Sequence, residues 1–260
     1  MSAALADAVE TAGRVVGVDR IGEYQVLTLR APEIARRTIP GQFVMIESGC
    51  LLRRPFSVFR AAADTVAVAF DVIGGGTRWL ATRALGDELA LAGPLGTGFS
   101  IDAEGPTVAV GGGYGAAPLF MLAERVRSGG LAVHAILGAA RAARVFGHDD
   151  AGAVFDSVEI TTDDGSLGTK GLVTDVLADV VTRTGARRVV ACGPMPMLEA
   201  VSTRCREQGL VCEVAVEEFM ACGIGVCWTC VVPVASNGEA HYLRSCTEGP
   251  VFDGSTVGWG

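Results

Sequence analysis

The chain has 260 residues, of which 50% are hydrophobic and 19% charged, with 35 glycines and a formal net charge of −8. That length allows two compact domains and a small appendage, and the apolar share is enough for more than one core. A net negative chain lacks the basic surface needed to neutralise phosphates, which excludes a general nucleic-acid binder but leaves room for one phosphorylated cofactor in a local pocket.

Residues 1–13 carry Asp7 and Glu10 and no basic run, so no signal peptide is expected there. From residue 14 to 91 the texture is β-like. Segments 24–30, 42–47, 55–60 and 66–72 are rich in Val, Phe and Ile, and Asp19, Pro32, Pro40-Gly41, Asp64, Gly74 to Gly76 and Gly86-Asp87 punctuate them as turns. Short strands at this spacing predict a small antiparallel barrel, interrupted by one helix starting near Gly76 and Thr77. Residues 93–98, Gly-Pro-Leu-Gly-Thr-Gly, read as a linker-like break. Beyond it, strands over 107–110, 131–137, 157–162 and 187–191 alternate with helices over 116–127, 172–181 and 195–208, the pattern of a parallel α/β sheet. The uncharged stretch 105–123 is long enough to suggest a membrane span, but Pro106, Gly111 to Gly113 and Pro118 make it a strand, a turn and a helix. The expected fold is therefore α/β plus β. An N-terminal antiparallel β-barrel domain covers 1–100, a parallel α/β nucleotide-binding domain 101–216, and a small Gly- and Cys-rich C-terminal unit 217–260. A soluble, cytoplasmic protein without membrane contact is expected.

Four of the eight cysteines are scattered, at Cys50, Cys192, Cys205 and Cys212; the other four cluster as Cys222-x4-Cys227-x2-Cys230 with Cys246 downstream. In a cytosolic chain they are not read as disulfides. The clustered spacing is that of a plant-type [2Fe–2S] site. Gly223 and Gly225 give the loop the backbone freedom to turn three thiolates toward one centre. A structural zinc site is the competing reading, but zinc usually joins two Cys-x2–4-Cys pairs and only one such pair is present. Trp228, inside the loop, is read either as a packing cover or as a partner contact, with packing preferred.

Arg54-Pro55-Phe56-Ser57 opens a barrel strand. Arg54 suits a phosphate or the electron-rich end of a flavin, and Ser57 a ring nitrogen. Gly74-Gly75-Gly76-Thr77 opens the helix, whose N–H groups suit a pyrophosphate; a plain strand-to-helix turn explains the run equally well. Further on, Gly111, Gly113 and Ala116 fit G-x-G-x-x-G/A after a strand and before a helix. The candidate nicotinamide-dinucleotide contacts are Gly111, Gly113 and Gly115, with Cys192, Gly193 and Pro194 at the end of a later strand. Cys192 is read either as facing the nicotinamide or as a buried structural thiol. The usual acidic ribose partner is missing after the strand ending at Leu137, but Asp163-Asp164 follows a later one and favours NADH over NADPH. His134 reads as a satisfied core or edge residue, His148 and His241 as loop or surface residues.

Taken in this order, the segments resemble the ferredoxin-reductase superfamily with an added [2Fe–2S] domain, and more closely the electron-transfer subunits of class 1B dihydroorotate dehydrogenases. The resemblance rests on Arg54-Pro-Phe-Ser57, Gly75-Gly-Thr77, Gly93-Pro-Leu-Gly96, Gly111-Gly-Gly-Tyr-Gly-Ala-Ala-Pro118, Asp163-Asp-Gly165, Cys192-Gly-Pro194 and Glu218 through Cys230. It implies FAD contacts at Arg54, Pro55, Phe56 and Ser57, at Ala69, Phe70 and Asp71, and at Gly76 and Thr77. It implies cluster ligation by Cys222, Cys227, Cys230 and Cys246. Asp71 departs from relatives that carry a basic residue suited to a phosphate, so only its backbone contact carries over. Tyr114 stands where a smaller residue is often found. The implied activity is that of an NADH-linked flavin and iron–sulfur oxidoreductase subunit, with no catalytic acid or base required. Its implied partner is an FMN-containing dihydroorotate dehydrogenase catalytic subunit of pyrimidine biosynthesis, in a heterotetramer of two of each. Two other readings stand beside it: an NAD(P)H reductase subunit serving a hydrogenase, ferredoxin or oxygenase, and a non-redox zinc-stabilised nucleotide-binding module.

Overall fold

A computed structural model describes residues 8–102, 104–236 and 239–259. The segment 1–13, read as lacking a signal peptide, lies partly outside the described residues.

The first unit is a closed six-stranded antiparallel barrel, ordered β1-β2-β5-β4-β3-β6. Its strands are β1 (Val9–Ile21), β2 (Tyr24–Arg30), β3 (Phe43–Ile46), β4 (Arg54–Ala62), β5 (Thr65–Phe70) and β6 (Glu88–Leu95). Three sequence expectations need correction here. Asp19 lies inside β1, paired with Val26, and the turn comes at Gly22. Pro32 does not mark a turn but opens a short helix α1 (Pro32–Arg37), where a proline at the first position lacks only an N–H that would be unpaired anyway. Glu33 in its first turn, Arg36 and Arg37 in its last, and buried Ile34 and Ala35 complete a helix signature that the turn reading overlooked. Third, Gly93 and Pro94 belong to β6 rather than to a free linker, and beyond them the Thr97 N–H donates to the Gly249 carbonyl at 2.5 Å. The expected helix near Gly76 is α2 (Gly75–Leu80).

The second unit is a seven-stranded sheet ordered β10-β9-β8-β7-β11-β12-β15. Its strands are β7 (Thr107–Gly112), β8 (Val133–Ala139), β9 (Ser157–Thr162), β10 (Thr169–Lys170), β11 (Arg188–Cys192), β12 (Val211–Ala215) and β15 (Val251–Asp253). All pairings are parallel except that of β15 with β12. Helices α3 (Ala117–Ser128), α4 (His148–Val154), α5 (Val173–Thr184) and α6 (Met195–Gln208) cover its faces. The remaining strands, β13 (Val231–Ser236) and β14 (Glu239–Arg244), form a two-stranded ribbon. Sequence reading did not single out α4, β12 or this ribbon. His134 behaves as expected, its Nδ1 lying 2.8 Å from Ser157 Oγ across the β8–β9 pairing.

The uncharged stretch before Glu124 owes its composition to α3. Residues 117–123 are all buried, because one side of the helix packs on the sheet and the other on the barrel. The seam is an aromatic stack: Phe120 of α3 lies 5.7 Å from Phe59 of β4, 5.7 Å from Phe146 and 5.1 Å from Phe155, all edge-to-face. The N-terminal half of the helix is thus apolar all round because it has two partners, while Glu124, Arg125, Arg127 and Ser128 in the other half are exposed. Among the described residues no helix is long and apolar enough to cross a membrane.

Because Phe120 serves both units, Phe120→Ala is expected to cost about 3–5 kcal/mol of stability. Chemical denaturation of the cofactor-loaded protein measures this, and a loss below about 1 kcal/mol would contradict a shared core.

Candidate functional site at the barrel–sheet seam

A cavity of about 980 Å³ runs along the seam. That is at the upper end of the range of about 300–1,000 Å³ for small-molecule sites. The barrel side carries Arg54, Pro55, Phe56 and Ser57 on β4, Ala69 and Phe70 at the end of β5, Asp71 just beyond it, and Gly76 and Thr77 of α2. The sheet side carries Gly113 and Gly115 in the turn after β7, and Cys192, Gly193 and Pro194 after β11. Thus fourteen of the fifteen sequence-derived cofactor candidates line one cavity. The exception is Gly111, which stands back inside β7; a Cβ there would meet the Ala116 Cβ at 2.4 Å, so its smallness serves strand–helix packing. Thr77 partly serves its own loop, its hydroxyl accepting from the N–H groups of Ile73 (3.0 Å) and Gly74 (3.1 Å).

Arg54 carries the clearest demand for a ligand. Its Nη1 is buried with no hydrogen-bond partner among the described residues, and its guanidinium sits 5.9 Å from the Phe219 ring. A buried donor without a partner is costly, and an anionic group or an electron-rich ring edge in the cavity would satisfy it. Gly76 lies against it: a Cβ there would come within 3.4 Å of Arg54 Cγ. On the sheet side the two glycine turns nearly touch, since a Cβ on Gly115 would lie 2.7 Å from Gly193 Cα. Both turns lead into helices, which brings backbone N–H groups to the carboxyl edge of the sheet, where open α/β folds bind ligands.

Sequence reading did not find Tyr24 and Arg144 in this wall, nor Glu23 and Arg141 beside it. Asp71, the departure from the family pattern, pairs with Arg144 at 2.5 Å across the seam. Arg144 also lies 3.6 Å from Glu23 and 4.9 Å from the Tyr24 ring, and its carbonyl accepts from the Tyr24 hydroxyl at 2.9 Å. Arg141 pairs with Glu23 at 2.8 Å. The acid at position 71 thus recruits a cation from the other unit, and its hydrogen bond to Arg144 pushes that guanidinium's pKa up. Asp163 lines the cavity beyond β9, whereas Asp164 is committed to its own turn, accepting from Ser166 N at 2.9 Å and Ser166 Oγ at 2.6 Å. Tyr114 also lines the cavity, and its hydroxyl donates to Glu217 Oε1 at 2.8 Å. Cys192 is buried, and burial pushes its thiol up to about 12, so it is a neutral wall and not a nucleophile.

The cavity ends at the cysteine segment, where Phe219 and Met220 line it just ahead of Cys222. Cys230 and Cys246 are buried in a small core with Phe43, Met45, Leu95 and Met220, against the barrel, while Cys227 is exposed. The four thiols are near enough to act on one another electrostatically, Cys222 on Cys227, and both Cys230 and Cys222 on Cys246. Among the described residues no three His, Cys, Asp or Glu side chains converge on a single-ion position. Four neighbouring thiols suit a cluster of two irons, each taking two thiolates. Thr229 Oγ1 donates to Cys227 Sγ at 3.2 Å, the main reason that thiol is lowered to about 6. The loop turns at Gly223 (φ +71°) and Gly225 (φ +79°), where a Cβ would strike Met45 at 2.7 Å and Thr247 at 2.8 Å. Arg244 braces it, donating to the Gly225 carbonyl at 3.0 Å and to both carboxylate oxygens of Glu248. Trp228 is not a packing cover: it is 55% exposed at φ +58°, with the Arg244 guanidinium 4.7 Å from its ring.

A flavin-type barrel, a parallel nucleotide sheet and a cysteine loop at their junction define a ferredoxin-reductase-like electron-transfer protein. Comparison with known proteins agrees. Residues 217–258 match the family model described as the iron-sulfur cluster binding domain of dihydroorotate dehydrogenase B. The dihydroorotate dehydrogenase B (NAD(+)) electron transfer subunit of Desulforamulus reducens is 37% identical over 236 residues, covering 88% of this chain and 90% of the relative. That of Geobacillus thermodenitrificans is 38% identical over 240 residues, covering 89% and 91%. Among solved structures, a chain of the NADH-dependent reduced ferredoxin–NADP oxidoreductase superposes with a TM-score of 0.84 at 29% identity, covering 95% of this chain and 90% of that one. A ferredoxin NADP+ reductase from Neisseria gonorrhoeae shares the fold, with a TM-score of 0.63 at 19% identity over 77% of this chain and 92% of its own. The chain belongs to the family of dihydroorotate dehydrogenase B (NAD(+)) electron transfer subunits.

The Asp71–Arg144 pair is expected to show in a double-mutant cycle. Asp71→Asn and Arg144→Gln, alone and together, should give a coupling of about 1 kcal/mol in urea denaturation of the cofactor-loaded protein. A coupling of zero would mean that the pair does not hold the seam in solution.

Proposed function

We propose that this chain carries electrons from NADH to a one-electron acceptor on a partner subunit, with FAD in the seam cavity and a [2Fe–2S] cluster on Cys222, Cys227, Cys230 and Cys246. The observation that carries the reading is continuity. One cavity has the glycine turns at one side, Arg54 to Ser57 at the other, and Phe219 and Met220 leading from it to Cys222. When bound, FAD exchanges a hydride pair for single electrons, and a [2Fe–2S] cluster takes those electrons one at a time.

The chain's own residues bind, orient and insulate. Arg54 offers its unpaired Nη1 to the flavin's anionic or electron-rich edge, while Ser57, Ala69, Phe70 and the backbone of Asp71 shape the floor. Gly76 leaves space beside Arg54. Gly113, Gly115, Gly193 and Pro194 hold the nicotinamide dinucleotide at two adjacent turns, with the ring toward Cys192. Asp163, which lines the cavity and has no side-chain partner among the described residues, takes the adenosine ribose hydroxyls and repels a 2′-phosphate. No side chain needs to move a proton for hydride delivery, which agrees with the neutral, buried Cys192 thiol.

The partner fitting the family is an FMN-containing dihydroorotate dehydrogenase catalytic subunit, two copies of each chain forming a cytoplasmic heterotetramer. Phe219, Ile224, Val226 and Trp228 are exposed large apolar side chains around Cys222 and Cys227, the kind of rim a partner covers. A second reading, a subunit serving a ferredoxin-linked oxidoreductase, draws on the 0.84 TM-score superposition.

The visible spectrum of the anaerobically purified protein tests the proposal. Flavin bands with an iron–sulfur shoulder, bleached by NADH, are expected; a colourless protein holding zinc would overturn it. Cys246→Ser should remove the iron–sulfur absorbance and leave the flavin bands. Asp163→Ala should narrow the NADH-over-NADPH preference in kcat/KM by at least tenfold, about 1.4 kcal/mol, and an unchanged ratio would place the ribose elsewhere. Co-purification with an FMN subunit, and NADH-dependent reduction of orotate by the mixture, decides between the partners.

A further inference from the structure

The sheet order places β11 between β7 and β12, with Cys192 in register with Gly111 on one side and Ala215 on the other. Tyr114 stands two residues past the end of β7, and Glu217 two residues past the end of β12. Their 2.8 Å hydrogen bond therefore runs across the carboxyl end of β11, over Cys192. Both side chains line the seam cavity. The Tyr114 ring is steadied from the barrel side by Tyr24, 5.8 Å away at 60°. Beneath, the contact between Gly115 and Gly193 leaves the backbone no room to sink. A side chain in the glycine turn thus reaches a carboxylate at the first residue of the cluster-binding segment, and the link crosses the place where a nicotinamide ring would meet Cys192.

The geometry points to a strap: the Tyr114–Glu217 hydrogen bond closes the berth in front of Cys192, and a nicotinamide ring enters only when that bond opens. This rests on the proposed seating of the dinucleotide at the two glycine turns. In that seating the adenosine and diphosphate parts of the dinucleotide meet Gly113, Pro194 and Asp163, which take no part in the Tyr114–Glu217 bond. Only the ring must displace it. Tyr114 and Glu217 are then positioning residues, setting how much of the dinucleotide's binding free energy is spent on seating the ring. Apparent affinity falls by the fraction of molecules with the strap open. A hydrogen bond to a carboxylate is strong enough to keep that fraction small.

The bland reading is a static tie between two loops. It differs in a measurable way, because a tie that never opens makes no distinction between ligands with and without the ring. The test uses the full chain with flavin and cluster loaded, and isothermal titration with two probes: NAD+, and ADP-ribose, which lacks the ring. Tyr114→Phe keeps the ring packing and removes the donor; Glu217→Gln keeps the shape and weakens the acceptor. Both variants are expected to bind NAD+ about tenfold more tightly than the parent, equivalent to about 1.4 kcal/mol, with ADP-ribose changed less than about twofold. Unchanged or weaker NAD+ binding in both variants would overturn the strap, as would an equal shift for the two probes. If the parent chain bound neither probe, the seating of the dinucleotide would fail, and with it both the strap and the nicotinamide part of the proposed function.

Discussion

The structure depends on the double burial of α3. A single amphipathic stripe would have sufficed to cover a sheet, but the first two turns of α3 are buried on every side because they have a barrel on one flank and strands on the other. Each large apolar side chain it buries contributes about 1.5–3 kcal/mol. Leu119, Phe120 and Leu122 therefore fix the barrel against the sheet before any polar contact is considered. The cavity is the consequence. Strand ends of the barrel and of the sheet are held facing one another, so two ligands bound to different units are forced into the same space.

The polar contacts then set fine geometry. Asp71, Arg144, Glu23, Tyr24 and Arg141 tie the two walls beside the cavity, and Tyr114 with Glu217 ties the sheet wall to the cysteine segment. None of these side chains is deeply buried as an ion, so their net energetic effect is small compared with the aromatic seam. Their value is directional, because charged and hydrogen-bonded partners specify which side chain faces which, whereas apolar packing alone tolerates sliding.

What was legible in the sequence was local. The Cys222, Cys227 and Cys230 spacing, the glycine turn after β7 and the proline-fixed start of β4 are each encoded within a dozen residues; spacing alone pointed to a cluster site and to a dinucleotide turn, whereas the flavin reading of Arg54 to Ser57 drew on the resemblance as well. The failures follow two patterns. Pro32 and Asp19 are residues whose turn tendency is real but conditional: a proline also starts helices, and an aspartate tolerates the exposed face of a long edge-curled strand. The larger gap lies in contacts made across long stretches of chain. Tyr114 and Glu217 are 103 residues apart, and Arg144 and Asp71 are 73 apart. No period or motif announces such pairs, since they exist only once the strand order is known. Even Asp71, noticed as an anomaly, revealed its purpose only when Arg144 appeared opposite it.

The return of the chain at β15 changes how the cysteine segment should be thought of. Residues 251–253 lie antiparallel to β12, the very strand from which the segment departs, and the Gly254 N–H donates to the Cys212 carbonyl at 2.8 Å. The redox loop is therefore an excursion sewn into the sheet at both ends rather than a cassette hung from a tether. Swapping it between proteins would require recutting the sheet's edge, and the iron centre inherits the stiffness of the nucleotide fold instead of swinging on a leash.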